Sequence, residues 1–262
     1  MIGSRCPFVK ELPAPSLAAG ATVKVIGLGG VGSIVARYLA VYLAAQNRDL
    51  RLVLVDGDSF EESNGTRMLF SYSGNKAAVV REELVERLEG TQLTIEAIEE
   101  YITPENRDSL IREGDIILAC LDNHASRLVI SQRCEELQDV VFLSGGNDGI
   151  GLDDEGRPQR GTLGSVQVHL RRAGVDVSPP LTHHHPEIAH PIDKRPDEMS
   201  CTEAMVSQPQ MLFTNLMTAS CILNSFLLAV SEGALHYSDL SFDTADGFMR
   251  PVIPLGQGPS GE

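Results

Sequence analysis

Six residues between two apolar runs, Gly27-Leu28-Gly29-Gly30-Val31-Gly32, have the composition of a phosphate-binding turn. Glycine lets the backbone turn tightly and approach an anion, and a helix opening just after it offers free N–H groups and the positive end of its dipole. A tight turn without a ligand carries the same glycines, so the motif gains meaning from its strand–turn–helix setting. Asp56 lies 24 residues beyond Gly32, at the end of the next apolar run, with Asp58 two residues further on. A carboxylate in that place accepts hydrogen bonds from ribose hydroxyls. It suits the adenosine of ATP or of NAD and does not choose between them.

Asn64, Arg67 and Lys76 point toward a triphosphate. A pyrophosphate can rest on backbone N–H groups, whereas a triphosphate needs more positive charge. Arg67 offers planar, multi-donor binding and Lys76 a mobile point charge. Lys76 follows Gly74-Asn75 at the expected start of a helix, where a cation opposes the helix dipole unless an anion lies between them. A solvated surface lysine is the plain alternative. Asp122 follows another short apolar run, at the strand end where ligands sit in open α/β sheets, and its carboxylate could hold Mg2+ against phosphates. Asp122 or Asn123 could equally cap the next helix. Cys201 stands at the mouth of a long apolar helix, where the dipole favours thiolate. The other reading is a small residue packed at a helix start. His183, His184, His185 and His190 form a metal-type tract, but with no second cluster in the sequence they read as a solvated loop.

These residues need a frame that gathers them on one edge. Residues 23–26 and 51–55 read as buried strands on either side of a helix over 33–45. An amphipathic helix over 76–88 presents Val79, Val80, Leu84 and Leu88 on one side. A strand at 93–98, a short helix opened by Thr103-Pro104, a strand at 115–119, a helix at 125–137 and a strand at 140–143 follow. Such alternation predicts an α/β fold: a Rossmann-like, mostly parallel sheet with helices on both faces. Beyond Gly149, alternation over 161–170 sets Val166, Val168 and Leu170 against Ser165, Gln167 and His169, which predicts a half-exposed antiparallel strand. Closing strands at 240–242 and 249–253 extend the sheet. Residues 173–200, rich in Pro and His, read as a long crossover loop, and 203–231 as a helix. Residues 1–20 form an N-terminal arm, 21–255 one domain and 256–262 a tail.

The net charge of −15 argues against nucleic acid and anionic membrane as partners. With 262 residues the chain can bury a full core, which 5% aromatics and no Trp make mostly aliphatic. The five cysteines, Cys6, Cys120, Cys134, Cys201 and Cys221, are odd in number and form no C-x-x-C pair. That disfavours a disulfide framework and a four-Cys zinc site, and it predicts a reducing cytoplasm. Cys120 and Cys221 lie on apolar elements and read as core. The N-terminus lacks the apolar stretch of a signal peptide. The apolar run 211–230 is interrupted by Thr214, Asn215, Thr218, Ser220, Asn224 and Ser225, which predicts a buried helix rather than a membrane span.

Taken in order, the glycine turn, Val55-Asp56-Gly57-Asp58, Ser63-Asn64-Gly65-Thr66-Arg67, Gly74-Asn75-Lys76 and Cys120-Leu121-Asp122-Asn123 resemble the adenylation domain of ThiF/MoeB/HesA and ubiquitin-activating enzymes. Ser144-Gly145-Gly146 resembles a small-residue segment of that family. Cys201-Thr202-Glu203-Ala204-Met205-Val206 resembles its Cys-x-x-Ala-Gly-Val block. The resemblance implies a ThiF-like adenylation domain over 21–255. It implies ATP-dependent adenylation of the C-terminal glycine carboxylate of a small ubiquitin-like or sulfur-carrier protein. Asp56 would bind ribose, Asn64, Arg67 and Lys76 the triphosphate, and Asp122 would position Mg2+. Thioester or persulfide transfer would run through Cys201.

There are departures from the family pattern. Met68 replaces a Gln, the span from Arg67 to Lys76 is short, and the C-x-x-C zinc pairs are missing, so no structural zinc is expected. Arg5 is the only arginine before the glycine turn, where relatives borrow one from a second subunit. The long apolar helix and the resemblance together predict a homodimer. An NAD-dependent oxidoreductase would explain the turn and Asp56 but leave Asn64, Arg67, Lys76 and Asp122 without a task. A non-catalytic scaffold on the same fold is the other alternative.

Overall fold

The computed structural model describes residues 14–60, 68–152, 156–199, 210–231 and 235–253. β1 (Thr22–Ile26) runs through the glycine turn into α1 (Gly32–Ala45). β2 (Leu50–Val55) returns parallel to β1, with Ile26 opposite Val55. The short β3 (Ser59–Phe60) and β4 (Gly74–Asn75) pair with each other and lead into α2 (Lys76–Arg87), after which β5 (Leu93–Ile98) joins β2 in parallel. Then come α3 (Arg107–Leu110), β6 (Ile116–Ala119), α4 (His124–Glu136) and β7 (Val140–Asn147). β8 (Ile150–Leu152) and β9 (Pro158–Arg160) form a separate hairpin. β10 (Leu163–Arg172) runs antiparallel to β7, and β11 (Val175–Ser178) folds back on it. Past α5 (Leu181–His184), α6 (Pro186–Ala189) and a 3₁₀ turn at Pro196–Glu198, α7 (Leu212–Ala229), β12 (Asp239–Asp243) and β13 (Phe248–Val252) complete the chain. The main sheet is ordered β13-β12-β10-β7-β6-β1-β2-β5. The α/β class, the parallel half and the antiparallel extension are those the sequence predicts.

Successive strand residues point to opposite faces, and each face is sealed by its own layer. Val25, Leu52, Leu54, Leu118, Leu143, Val166 and Val168 lie under α1, α2 and α7. Ile26, Val53, Ile117 and Phe142 lie on the other face with Ile130 of α4, Leu181 of α5 and Ile188 of α6.

Two expectations are corrected here. Residues 173–200 are not one long loop. They hold β11, α5, α6 and the 3₁₀ turn, and Leu181 and Ile188 plug into the core. Consequently β10 is not half-exposed. Gln167 and His169, on its polar face, are buried, with His169 Nε2 2.8 Å from Asp176 and Gln167 Nε2 donating to Asp239 at 3.2 Å. The helix expected over 203–231 is described as Leu212–Ala229, with residues 203–209 outside the described residues. Its length and apolarity would also suit a membrane span. Within the domain, however, its Thr214, Thr218, Cys221, Ile222 and Phe226 are buried, and their neighbours satisfy the buried hydroxyls: Thr218 donates to the Thr214 carbonyl, Ser225 to that of Cys221 and Thr214 to that of Gly161, each at 2.8 Å.

Candidate functional site

The glycine turn is held in shape from below. Gly27 has φ +87, a left-handed conformation that only glycine adopts cheaply, and donates to the Val55 carbonyl at 2.9 Å. A Cβ at Gly32 would stand 1.8 Å from the Gly27 carbonyl oxygen, so the helix can start there only without a side chain. Gly29 differs, because a Cβ there would meet nothing within 4 Å. Among the described residues, the N–H groups of Gly29, Gly30 and Val31 have no hydrogen-bond partner. Three free donors, an open face and the positive end of α1 together make an anion cradle.

Asp56 follows β2 directly, beside the cradle, and is buried. Its Oδ1 accepts the Asp58 N–H at 2.8 Å, and its Oδ2 accepts the Leu28 N–H at 2.5 Å. Burial pushes the Asp56 carboxyl above its ordinary value, against the pull of Lys76 and of those two donors. The carboxylate therefore braces the glycine turn in this structure, and each oxygen keeps a lone pair for a further donor.

Lys76 is the first residue of α2 and is buried. Asn75 caps that helix, accepting from the Ala77 and Ala78 N–H groups at 2.9 and 3.1 Å while its own amide donates to the Asp56 carbonyl at 2.8 Å. The cap brings Lys76 to the Asp56 edge. Its Nζ pairs with Asp58 Oδ2 at 2.8 Å. Tyr101 donates its hydroxyl to the other Asp58 oxygen. Burial alone would raise the Asp58 carboxyl, but the Lys76 charge and the hydrogen bonds from Lys76 and Tyr101 hold it below its ordinary value.

Asp122 lies just past β6 and is exposed, with no hydrogen bond or ion pair among the described residues. The capping role falls to Asn123, whose Oδ1 accepts the Ser126 N–H at 2.8 Å. Asp193, from the crossover segment, accepts the next two N–H groups of α4, those of His124 and Ala125, at 2.6 and 2.9 Å. Arg127 crosses the same strand end, donating twice to the Leu121 carbonyl at 3.1 and 2.6 Å, within the electrostatic reach of Asp122. In Ser144-Gly145-Gly146 both glycines are crowded by side chains: a Cβ on Gly145 would lie 2.5 Å from Ile222 of α7, and one on Gly146 2.3 Å from the Arg127 guanidinium.

Asn64, Arg67, Cys201 and Arg5 lie outside the described residues. Cys120, Cys134 and Cys221 are free thiols, and burial pushes Cys120 up to about 12 and Cys221 up to about 11, so neither is a thiolate at neutral pH. The His tract divides. His183 and His190 are exposed, but His185 is half-buried and paired: its Nε2 is 2.6 Å from Asp239 and its Nδ1 2.8 Å from Glu187, while His184 Nε2 is 2.8 Å from the Ser238 hydroxyl. Among the described residues no group of three or more His, Cys, Asp or Glu could hold a metal.

A family model described as the ThiF family matches residues 17–244. The chain belongs to the ThiF family. The vegetative HesA protein of Trichormus variabilis is 32% identical over 117 residues, 44% of this chain and 42% of the relative. The protein named adenylyltransferase and sulfurtransferase uba4 of Neosartorya fischeri is 35% identical over 111 residues, 42% of this chain and 20% of the relative. The chain thus matches less than half the length of either. A crystal structure of Escherichia coli MccB with ATP superposes at a TM-score of 0.60 and 14% identity, covering 89% of this chain and 64% of that one. At that identity the likeness concerns the ThiF fold alone.

Within this ThiF fold, four residues outside the sequence motifs stand at the site: Tyr101, Arg127, Asp193 and Asn215, the last with its Nδ2 where it would lie 2.3 Å from a Cβ on Gly30. Tyr101 comes shortly after β5, and a position just beyond a strand's carboxyl end was the available signal. Arg127 lies within α4 and only its side chain folds back to the end of β6, which no local spacing announces. Asp193 and Asn215 had no signal either. Asp193 comes from a segment read as loop, and Asn215 looked like one polar interruption of an apolar helix.

Proposed function

We propose that this chain uses ATP to adenylate the C-terminal glycine carboxylate of a small ubiquitin-like or sulfur-carrier protein. The observation that carries the reading is the cradle of free N–H groups at α1 with Asp56 and buried Lys76 on the same sheet edge. The adenylyltransferase named among the relatives and the ATP in the MccB crystal support it.

The carboxylate oxygen attacks the α-phosphorus, the bond from that phosphorus to the bridging oxygen breaks, and pyrophosphate leaves behind an acyl adenylate. The attacking carboxylate is already ionised at neutral pH, so the protein need supply no general base. Its work is positioning and charge neutralisation. The turn N–H groups take phosphate oxygens, the spare lone pairs of Asp56 accept ribose hydroxyls, and Lys76 exchanges Asp58 for phosphate, with Asn64 and Arg67 adding donors. Asp122 is a single exposed carboxylate outside any cage, a donor set that Mg2+ accepts when phosphates complete its shell. Mg2+ held there would neutralise charge on the departing pyrophosphate. Thioester or persulfide transfer through Cys201, a homodimer and a cytoplasmic location complete the reading.

ATP–pyrophosphate exchange with a candidate carrier tests it. We expect exchange with the wild type and its loss in Asp122→Ala. ATP with Mg2+ should raise the melting temperature and NAD should not; stabilisation by NAD alone would point to the oxidoreductase instead.

A further inference from the structure

The glycine turn is faced by a side chain that lies outside the sequence motifs described above. Asn215, in the first turn of α7, is fully buried, and its Nδ2 would stand 2.3 Å from a Cβ built on Gly30. Neither Nδ2 nor Oδ1 has a hydrogen-bond partner. The other buried polar side chains of α7 are satisfied: Thr214 donates to the Gly161 carbonyl at 2.8 Å, and Thr218 and Ser225 donate back along the helix. Buried polar groups are almost always paired, and an orphaned one calls for an explanation. Here two orphaned atoms adjoin a turn whose own N–H groups at Gly29, Gly30 and Val31 are also without partners.

We propose that Asn215 is a binding residue of the phosphate cradle, donating its amide N–H to a phosphate oxygen of the nucleotide. This rests on the nucleotide reading above and deepens it. A phosphate with its ordered water offers an acceptor for Nδ2 and a donor for Oδ1, the two partners the amide lacks. A neutral amide is also the group this place tolerates. Between α1 and α7 an unpaired lysine would bear the cost of a buried charge whenever nucleotide was absent. Gln210 reaches the same point with a flexible side chain, its Oε1 3.4 Å from the same Gly30 position, and a phosphate can displace it without moving backbone.

Isothermal titration of the full chain with ATP and, separately, with adenosine tests the proposal. The variants are Asn215→Leu, which has the same branched heavy-atom skeleton without polar atoms, and the smaller Asn215→Ala. Loss of one hydrogen bond to a charged group should weaken ATP binding by roughly ten-fold or more. Adenosine, which lacks phosphate, should bind both variants as it binds the wild type. The nucleotide-free Asn215→Leu protein should melt no lower than the wild type, because two unpaired buried atoms are gone. Unchanged ATP affinity in both variants overturns the proposal and leaves the nucleotide reading standing. Equal weakening of ATP and adenosine overturns it in favour of a structural role. A wild type that binds no ATP removes both.

Discussion

Gly29 and Gly32 are three residues apart and are needed for different reasons. A methyl at Gly32 would collide with backbone at 1.8 Å, whereas one at Gly29 would meet nothing within 4 Å. Gly32→Ala should therefore lower the unfolding free energy by about 3 kcal/mol or more, because the turn itself must move. Gly29→Ala should leave stability within about 0.5 kcal/mol, the range of an uncrowded substitution, yet weaken ATP binding, because the methyl stands where a phosphate would lie. Calorimetric melting with and without ATP separates the two outcomes. Lys76 is a charged donor that the structure brings to this edge, and it is held ready by Asp58. Lys76→Ala should reduce the adenylation rate by roughly 100-fold, the scale of one lost preorganised donor, with circular dichroism unchanged. A rate within two-fold of wild type would remove Lys76 from the site.

The crossover segment, at the scale of elements, is anchored rather than loose. His185, at the junction of α5 and α6, joins Asp239 of β12 and Glu187 of α6. The hydrogen bond to Asp239 raises the His185 pKa, against burial, which lowers it, and Glu187 adds to the rise. Burial would raise the Asp239 carboxyl, but the hydrogen bond and charge of His185 hold it below its ordinary value. A raised His contributes stability that is complete below its unfolded value of about 6.5 and is lost as pH climbs through the folded value. A depressed Asp contributes stability that is present above its unfolded value of about 3.9 and is lost as pH falls through the folded one. The anchor is thus strongest between roughly pH 4 and 6.5 and fades in alkali. His185→Gln should cost about 1.5–3 kcal/mol at pH 5.5, the range for a hydrogen bond to a charged group, and clearly less at pH 9. Urea unfolding at the two pH values reads the difference directly, and equal costs would discount the ion pair.

At the scale of the whole molecule, two neighbouring helices carry exposed apolar side chains among the described residues. α7 buries one side on the sheet but exposes Leu212, Phe213 and Leu216, and α1, packed against it, exposes Tyr38 and Val41. Exposed apolar side chains grouped on neighbouring helices are a common mark of an interface. In a chain of net charge −15 such a face is also the part least opposed by charge repulsion between copies. Light scattering at micromolar concentration should give a dimer, and Phe213→Glu should weaken it by at least roughly ten-fold, the effect of placing one charge in an apolar contact. A wild-type monomer would set the homodimer aside.

What the sequence alone determined is local. Each strand–turn–helix repeat of the parallel half carries its own apolar period, so β1, β2, β5, β6 and β7 and the helices between them could be read within a residue or two at most ends. That the glycine turn, Asp56 and Asp122 each follow a strand was legible, and strand ends in such sheets share one edge. Helices α5 and α6, four residues each, are barely one turn long and show no period to read. Only the tertiary structure decided that Asn123 rather than Asp122 caps α4, that Asp58 holds Lys76, that His185 meets Asp239 across 54 positions, and that Asn215 faces Gly30. Those pairings join segments far apart in the chain, and no local spacing records which side chains a closing fold will bring within a few ångströms.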